Sequence, residues 1–320
     1  MICKRQGVEK MNDIIAPVPA PLIEAELTPE RLLRRTGRGD NELYVVSAAD
    51  CPHTMTEIGR LRELAFRTSG GGTGQEVDID DDDRAADGYK QLVVWDPTAR
   101  EMLGGYRFIV STSSHPAHLS SEHYFRFSDL FRTRYLPYTI ELGRSFVIPR
   151  RGPDGTRNPK IIYALDNLWD GLGALIRQNP HARYFFGKVT MYGDYNHEAR
   201  NILLYFLGRY FPDNENLLEP INPVRLEIDQ EKMAAMFNGG SYAEDLKILY
   251  RQVKLHEENV PPLINSYMNL SPTMKVFGTV TNPDFGSVEE TGLLITISDM
   301  HPDKTRRHLD GGDLSEIELI

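Results

Sequence analysis

The stretch ELGRSFV at residues 141–147 lies within a run that predicts a β-strand from Thr139 to Ile148. Side chains alternate along a strand, so residues three apart point to opposite faces. Glu141 and Arg144 therefore share a face only if the strand is locally irregular, and Gly143 between them supplies the freedom that a β-bulge needs. Two interpretations stay open, a functional pair and a strand-end ion pair, which contributes little if exposed.

Other strand and helix signals surround this segment. A hairpin is predicted from strands at 91–95 and 105–110. Further strands are expected at 43–46, 184–189 and 292–298, and helices at 54–66, 120–135, 163–178, 196–210, 241–259 and 261–267. The Gly-rich residues 69–74, with the acidic run after them, read as a mobile, solvated loop. Helices mixed with mostly antiparallel strands predict an α/β (α+β) fold.

Composition narrows the function classes. The 320 residues include 36 Lys and Arg against 46 Asp and Glu, a formal net charge of −10 that disfavours nucleic-acid binding. Cys3 and Cys51 are the only cysteines, which fits a reducing compartment. No apolar run is long enough for a spanning helix or a secretory signal, so the cytoplasm is expected. His115, His118 and His123 lack the acids or cysteines that would complete a metal site, so no metal is expected.

Several motifs occur in an order that resembles a known superfamily. The Glu141-x-x-Arg144 pair followed by Phe-Val resembles the fourth-strand motif of acyl-homoserine-lactone synthases and their relatives among the GNAT-fold acyltransferases. Three other motifs of that superfamily also have matching positions here. Arg62 and Phe66 match its early Arg-x-x-x-Phe, Asp83 and Asp87 match its paired acids, and residues 104–107, which end at Arg107, match its Gly-x-x-Arg strand. With Tyr192, they are the substrate-binding candidates.

The similarity is closest to a branch known as GNAT-like hemolysins, which includes N-acyltransferases of ornithine-lipid and glycine-lipid synthesis. Residues 89–96, 136–141, 164–171 and 185–192 resemble that branch, and the similarity is good from about residue 45 to 230. It implies a GNAT-like fold, a mixed, mostly antiparallel sheet flanked by helices. We interpret residues 1–42 as an extension, 43–230 as the acyltransferase core and 231–320 as a C-terminal elaboration.

The resemblance implies amide formation, in which a (3-hydroxy) fatty acyl group moves from a thioester to the amine of an amino acid. The product is an N-acyl amino acid, a lyso-aminolipid. The acyl-phosphopantetheine thioester is a co-substrate, and no cofactor is expected to stay bound. The usual coenzyme A loop, [RQ]xxGx[GA], is absent, and the basic residues Arg150, Arg151, Arg157 and Lys160 stand in its place. They favour an acidic acyl carrier protein as the donor.

The same resemblance implies roles for the motif residues. Glu141 would relay the proton of the attacking ammonium, and a backbone amide between Gly143 and Ser145 would polarise the thioester carbonyl. Arg107 and Arg144 would hold the substrate carboxylate. Alternatively, Arg62 and Arg144 pair with Asp83, Asp87 and Glu141 and order the acidic loop over the site. Tyr192 and His197 are weaker acid–base candidates. The acyl-channel candidates, each equally explained as ordinary core, are Phe108, Phe146, Tyr163, Leu168, Trp169, Phe185 and Phe186.

Two other functions stay open at this point. One is an acyl-homoserine-lactone-like synthase that uses S-adenosylmethionine, and the other is a non-catalytic module that binds lipid or a partner. The sequence identifies neither the amine nor the acyl chain length. It also leaves open the oligomeric state, a second acyltransferase that esterifies the product, and peripheral contact with the inner face of the membrane.

Overall fold

A mixed sheet of eight strands forms the centre of the protein. The computed structural model describes residues 11–149 and 158–302. The strands of this sheet are β1 (Leu32–Arg35), β2 (Glu42–Val46), β3 (Lys90–Asp96), β4 (Glu101–Val110), β6 (Thr139–Val147), β7 (Tyr184–Met191), β9 (Lys275–Asn282) and β10 (Val288–Thr296). Their spatial order is β1-β2-β3-β4-β6-β7-β10-β9. A separate small sheet pairs β5 (Phe125–Phe127) with β8 (Leu218–Pro220).

Helices cover both faces of the large sheet. They are α1 (Ala20–Glu26), α2 (Pro52–Thr68), α3 (Asp81–Arg84), α4 (Ile161–Gln178), α5 (His197–Tyr210), α6 (Gln230–Met236), α7 (Tyr242–Leu255) and α8 (Pro262–Met268). Leu92 and Val94 of β3 pack in one core with α4 and α5, whereas Val93 and Trp95 pack in another with α2. Because both faces are buried, residues 92–95 of this strand are a continuous apolar run instead of alternating with polar residues.

The strands β6 and β7 run parallel but separate before they end. Thr139–Leu142 pair with Tyr184–Gly187, and the ladder stops there. Beyond that point β6 keeps its partner β4 as far as Val147, and β7 keeps β10 as far as Met191. A gap therefore opens between two facing strand edges, and neither edge has a strand partner within residues 11–149 and 158–302.

The predicted bulge lies in β6, but at a different residue from the one expected. Arg107 of β4 pairs with Gly143, and Gly105 pairs with Phe146, so β6 contains one residue more than β4 between these pairs. The left-handed backbone belongs to Arg144, with φ of 50°, and Gly143 does not adopt it. The bulge is confirmed, and the expectation that Gly143 provides its conformational freedom is wrong.

Three other local predictions were incomplete or wrong. Residues 120–135 form a short helical turn, the strand β5 and a second turn instead of one helix, because Phe125 and Phe127 are buried at alternate positions against β8. The strand β9 was missed. The Gly-rich loop is anchored, since the buried carboxylate of Glu63 accepts hydrogen bonds from the amides of Thr73 and Gly74 at 3.0 and 2.8 Å.

The large sheet crosses both of the expected domain boundaries. The strand β1 precedes residue 43 and pairs with β2. The strand β10 follows residue 230 and pairs with β7 along its whole length. The division at 42 and 230 therefore stays an interpretation of sequence similarity, while the hydrogen-bonded sheet includes all three segments.

Candidate active site

A cavity of about 490 Å³ lies in the gap between β6 and β7. Residues 143–147 of β6 form one wall, and Lys188, Thr190 and Met191 of β7 form another. The other lining residues are Phe66, Arg107, Ser120, Leu142, Leu165, Tyr192, Asp194, Tyr195, Glu258, Asn259, Pro261, Pro262, Leu263, Phe285 and Glu290. The site thus combines the bulged strand with residues from the C-terminal part of the chain.

A buried ion pair supports the cavity from the side of α2. The Arg62 side chain has no exposed surface, and its Nη1 lies 2.9 Å from the Asp83 Oδ2 atom. The amide of Gln91 donates to the other Asp83 oxygen at 2.9 Å. Burial alone would raise the pKa of Asp83, but the guanidinium groups of Arg62 and Arg107 outweigh it and hold that pKa well below its usual range. This pair fixes the acidic segment against α2.

Two further arginines extend the network to the cavity wall. Arg107 Nη1 lies 2.6 Å from an Asp80 oxygen, and Arg144 Nε lies 3.0 Å from an Asp78 oxygen. Burial raises the pKa of Asp78, partly opposed by Arg144. Arg144 also lies over the Phe285 ring, 4.5 Å from its centroid. The bulge thus directs Arg144 to the same side of the sheet as Arg107.

Glu141 is buried beside this network and does not line the cavity. Its carboxylate accepts hydrogen bonds from the Tyr89 hydroxyl and from the amides of Ser120 and Ser121, the latter two at 3.0 and 3.1 Å. Burial, with the Glu141 charge second, raises the pKa of Tyr89 far above its usual range. Ser120 both contacts Glu141 and lines the cavity. It therefore connects the Glu141 carboxylate to the space that a substrate would occupy.

The predicted site residues therefore divide into two groups. Gly143, Arg144, Ser145, Phe146, Phe66, Arg107 and Tyr192 line the cavity. Arg62, Asp83 and Glu141 lie behind it. Burial raises the pKa of Tyr192. Asp87 is exposed and outside the cavity, and His197 begins α5 on the surface, so neither is part of this arrangement.

Most of the proposed acyl-channel residues belong to the core. Phe108, Leu168 and Phe185 are buried in the core beside α4, and Phe186 lies in a separate aromatic cluster. Trp169 packs against Tyr267, with ring centroids 5.7 Å apart, and does not line the cavity. Tyr163 is half-buried and does not line it either. Among the seven candidates only Phe146 reaches the cavity.

Only the C-terminal end of the basic loop, from residue 158 onward, lies within the described residues. Arg150, Arg151 and Arg157 lie outside the described residues. Lys160 lies just before α4, and its Nζ contacts the buried carboxylate of Asp96 at 2.8 Å. Lys160 therefore already has a carboxylate partner, and its assignment to carrier binding stays a prediction.

The sequence reasoning missed several residues of the site. Asp78 and Asp80 were assigned to a solvated loop, yet they pair with Arg144 and Arg107. Lys188 and Glu290 were not singled out, although both line the cavity. A polar Lys188 within the apolar strand β7 was a usable signal, whereas nothing local predicted that β10 would lie beside it.

The described residues contain neither a metal-ligand cluster nor a membrane-spanning helix. His118 and His123 have ring centroids 6.2 Å apart, and residues 11–149 and 158–302 contain no group of three or more potential metal ligands. Across those same ranges, no helix combines the length and apolar character needed to cross a membrane.

The separated parallel strands, the bulged strand and the cavity between them define a GNAT-type acyltransferase, and residues 61–154 match an acetyltransferase (GNAT) domain. A glycine N(α)-acyltransferase of Phocaeicola vulgatus is 48% identical over 307 residues, which cover 94% of this chain and 93% of that protein. One of Bacteroides thetaiotaomicron is 48% identical over 305 residues, covering 93% of this chain and 90% of that protein. The chain belongs to the family of these N-acyltransferases, and it is an amide-forming acyltransferase.

The expected fold and family are thereby confirmed, and the non-catalytic interpretation is wrong. A solved CoA-dependent acyl-homoserine lactone synthase covers 85% of this chain and 96% of its own length, with 12% identity and a TM-score of 0.32. A second such structure, with S-adenosylmethionine and isopentyl-CoA, has 13% identity and a TM-score of 0.34, and covers 85% of this chain and 91% of its own length. At these TM-scores the two structures support no further conclusion about this chain.

Proposed function

We propose that this enzyme transfers a fatty acyl group from acyl carrier protein to the amine of glycine and releases N-acylglycine, a lyso-aminolipid. The observation that carries the proposal is the 48% identity, along almost the whole chain, to curated glycine N(α)-acyltransferases. These matches cover 94% and 93% of the chain, far more than the Glu-x-x-Arg motif alone.

The gap between β6 and β7 supports binding of an acyl-pantetheine arm. Both strand edges that face the gap lack a strand partner, so their backbone groups are available to an extended ligand with amides of its own. Such a ligand adds to the edge like another strand. The thioester would then lie beside residues 143–145, where a backbone amide polarises its carbonyl.

The ion pairs favour an ordering role for most of the arginines. Arg62 pairs with Asp83, as the alternative interpretation of the motif expects, whereas Arg107 pairs with Asp80, a contact that this interpretation does not include. Arg144 keeps a fifth of its side chain exposed and lines the cavity, so it is the arginine best placed to meet a substrate carboxylate. We assign Arg144 to carboxylate binding, and the other two to holding the acidic segment in place.

The acceptor is tested with purified enzyme, acyl carrier protein charged with a 3-hydroxy fatty acid, and a panel of amines. Glycine, serine, ornithine and S-adenosylmethionine are offered separately, and products are identified by mass spectrometry. N-acylglycine as the main product supports the proposal. Lactone formation from S-adenosylmethionine, or acylation of ornithine in preference to glycine, would contradict it.

The donor is tested by comparing the acyl carrier protein with coenzyme A. If the basic loop binds a carrier protein, replacing Arg150, Arg151 and Arg157 with Ala raises KM for the acylated carrier at least tenfold and leaves KM for glycine unchanged. Raised ionic strength should have the same selective effect on the wild type. Equal kcat/KM with both donors would refute the assignment of a carrier protein.

A further inference from the structure

Glu290 is a buried carboxylate on the wall of the cavity that the proposed mechanism does not yet use. It lies on β10 opposite Thr190 of β7, and its side chain is 6% exposed. Its Oε2 atom accepts no hydrogen bond within the described structure. The nearest cation is the ammonium group of Lys188, at 3.6 Å. A buried anion that is incompletely hydrogen-bonded is costly unless a ligand completes its shell.

We propose that Glu290 is the catalytic base that accepts a proton from the ammonium group of the acceptor. This assignment rests on the proposed amide-forming reaction. The geometry distinguishes it from Glu141. Four hydrogen bonds are already donated to the Glu141 carboxylate, and Glu141 does not line the cavity. Glu290 lines the cavity, and its buried Oε2 atom has no hydrogen-bond donor among the described residues.

Lys188 places a positive charge beside the Glu290 carboxylate. Lys188 and Glu290 lie on the same face of the sheet, because Thr190 pairs with Glu290 and Gly292 pairs with Lys188. The ammonium of Lys188 also lies over the Tyr124 ring, 4.3 Å from its centroid. Burial, together with the Glu290 charge, raises the pKa of Tyr124 to about 12, so its hydroxyl stays neutral. Lys188 thus adds positive charge to that of Arg144, which binds the substrate carboxylate in the proposed function, and Glu290 supplies the negative charge that suits the ammonium of a zwitterion.

The reaction step balances with Glu290 as the proton acceptor. The ammonium of the amino acid donates one proton to the Glu290 carboxylate, and the neutral amine attacks the thioester carbonyl carbon. The C–N bond forms and gives a tetrahedral intermediate. As its C–S bond breaks, the second proton moves from nitrogen to the departing sulfur, which leaves as the thiol. The protonated Glu290 returns its proton to solvent after the amide product leaves.

The test compares Glu290→Gln with Glu289→Gln, a neighbouring carboxylate on the same strand. Glu289 forms an ion pair with Arg200 and does not line the cavity, so its variant loses a similar charge elsewhere. Each variant is assayed with the amine that the wild type acylates best, whichever that is. We expect Glu290→Gln to lower kcat/KM for the amine by about 10²- to 10³-fold, with KM for the acyl donor changed less than twofold. Glu289→Gln should stay within threefold of the wild type.

Hydroxylamine separates a base from a structural carboxylate, because it is already a neutral nucleophile at neutral pH. Its acylation is measured as hydroxamate after subtraction of the rate without enzyme. Glu290→Gln should keep this rate within about threefold. If the variant does not fold, Glu290→Asp, which withdraws the carboxylate by one methylene, should show the same selective loss for the ammonium substrate.

Two results would overturn the inference. One is a folded Glu290→Gln enzyme that acylates the amine within threefold of the wild type. The other is an equal loss with the amine and with hydroxylamine, which would make Glu290 structural. If the wild type instead prefers an amine other than glycine, the proposed acceptor is wrong, and the assignment of Glu290 is still tested with that amine.

Discussion

Replacing Asp83 with Asn tests whether buried ion pairs hold the acidic segment in place. Asp83 has no exposed side-chain surface and lies between Arg62 and Arg107, at 2.9 and 3.5 Å. The variant leaves the buried guanidinium of Arg62 without a charged partner. Breaking a buried pair in this way costs about 3–5 kcal/mol. Because the Asn carbonyl still accepts one hydrogen bond, we expect a loss near the lower end, about 3 kcal/mol.

Asp87 provides the matched control. It lies in the same acidic segment but is exposed and outside the network. Asp87→Asn should therefore change the free energy of unfolding by less than about 0.5 kcal/mol. In a chain of this length, a loss of about 3 kcal/mol lowers Tm by roughly 4–5 °C, because the unfolding entropy is about 2.1 cal/mol/K per residue.

The difference between wild type and Asp83→Asn should also depend on pH. The pKa of Asp83 is depressed in the folded state, so its contribution is complete above the unfolded pKa of about 3.9. It is lost as the pH falls towards the lower folded value. Urea unfolding at a series of pH values should show a constant gap from about pH 7 to 5, which narrows below about pH 4. Equal unfolding midpoints for Asp83→Asn, Asp87→Asn and wild type at pH 7 would refute the reasoning.

The other predictions concern single contacts around the site. Glu141→Gln should lower the free energy of unfolding by about 2 kcal/mol, because four groups donate to this charge. It should also lower kcat/KM. Gly187→Ala should cost about 1–3 kcal/mol in denaturant unfolding, because its Cβ would lie 2.6 Å from a backbone carbonyl of β6. Gly143→Ala should cost less than about 0.5 kcal/mol, since the nearest atom lies at 3.5 Å. Lys160→Ala should cost about 1 kcal/mol through the loss of its contact with Asp96.

Each of these predictions has an outcome that contradicts it. Full kcat/KM in folded Glu141→Gln would mean that Glu141 does not position the groups around the cavity. Greater damage from Ala at Gly143 than at Gly187 would mean that the strands separate at a different point. An unchanged stability for Lys160→Ala, with a raised KM for acyl carrier protein, would support Lys160 as a docking residue.

The sequence by itself determined the fold class and the bulged strand, which follow from local signals, namely apolar periodicity, turn residues and the spacing of Glu141 and Arg144. These signals are readable because a strand and a helix each impose a fixed period on their side chains. The family, and the places of Arg62, Phe66 and Arg107 at or near the site, came from the resemblance of ordered motifs to known acyltransferases.

The tertiary structure decided which charges meet and which residues border the cavity. Asp83 and Asp87 have the same side chain and nearly the same position in the sequence, but only Asp83 lies beside Arg62. Glu290 is about a hundred residues from Lys188, and β10 brings the two together beside the separated strands. Burial and pairing across such distances depend on packing of the whole sheet, and no local pattern contains them.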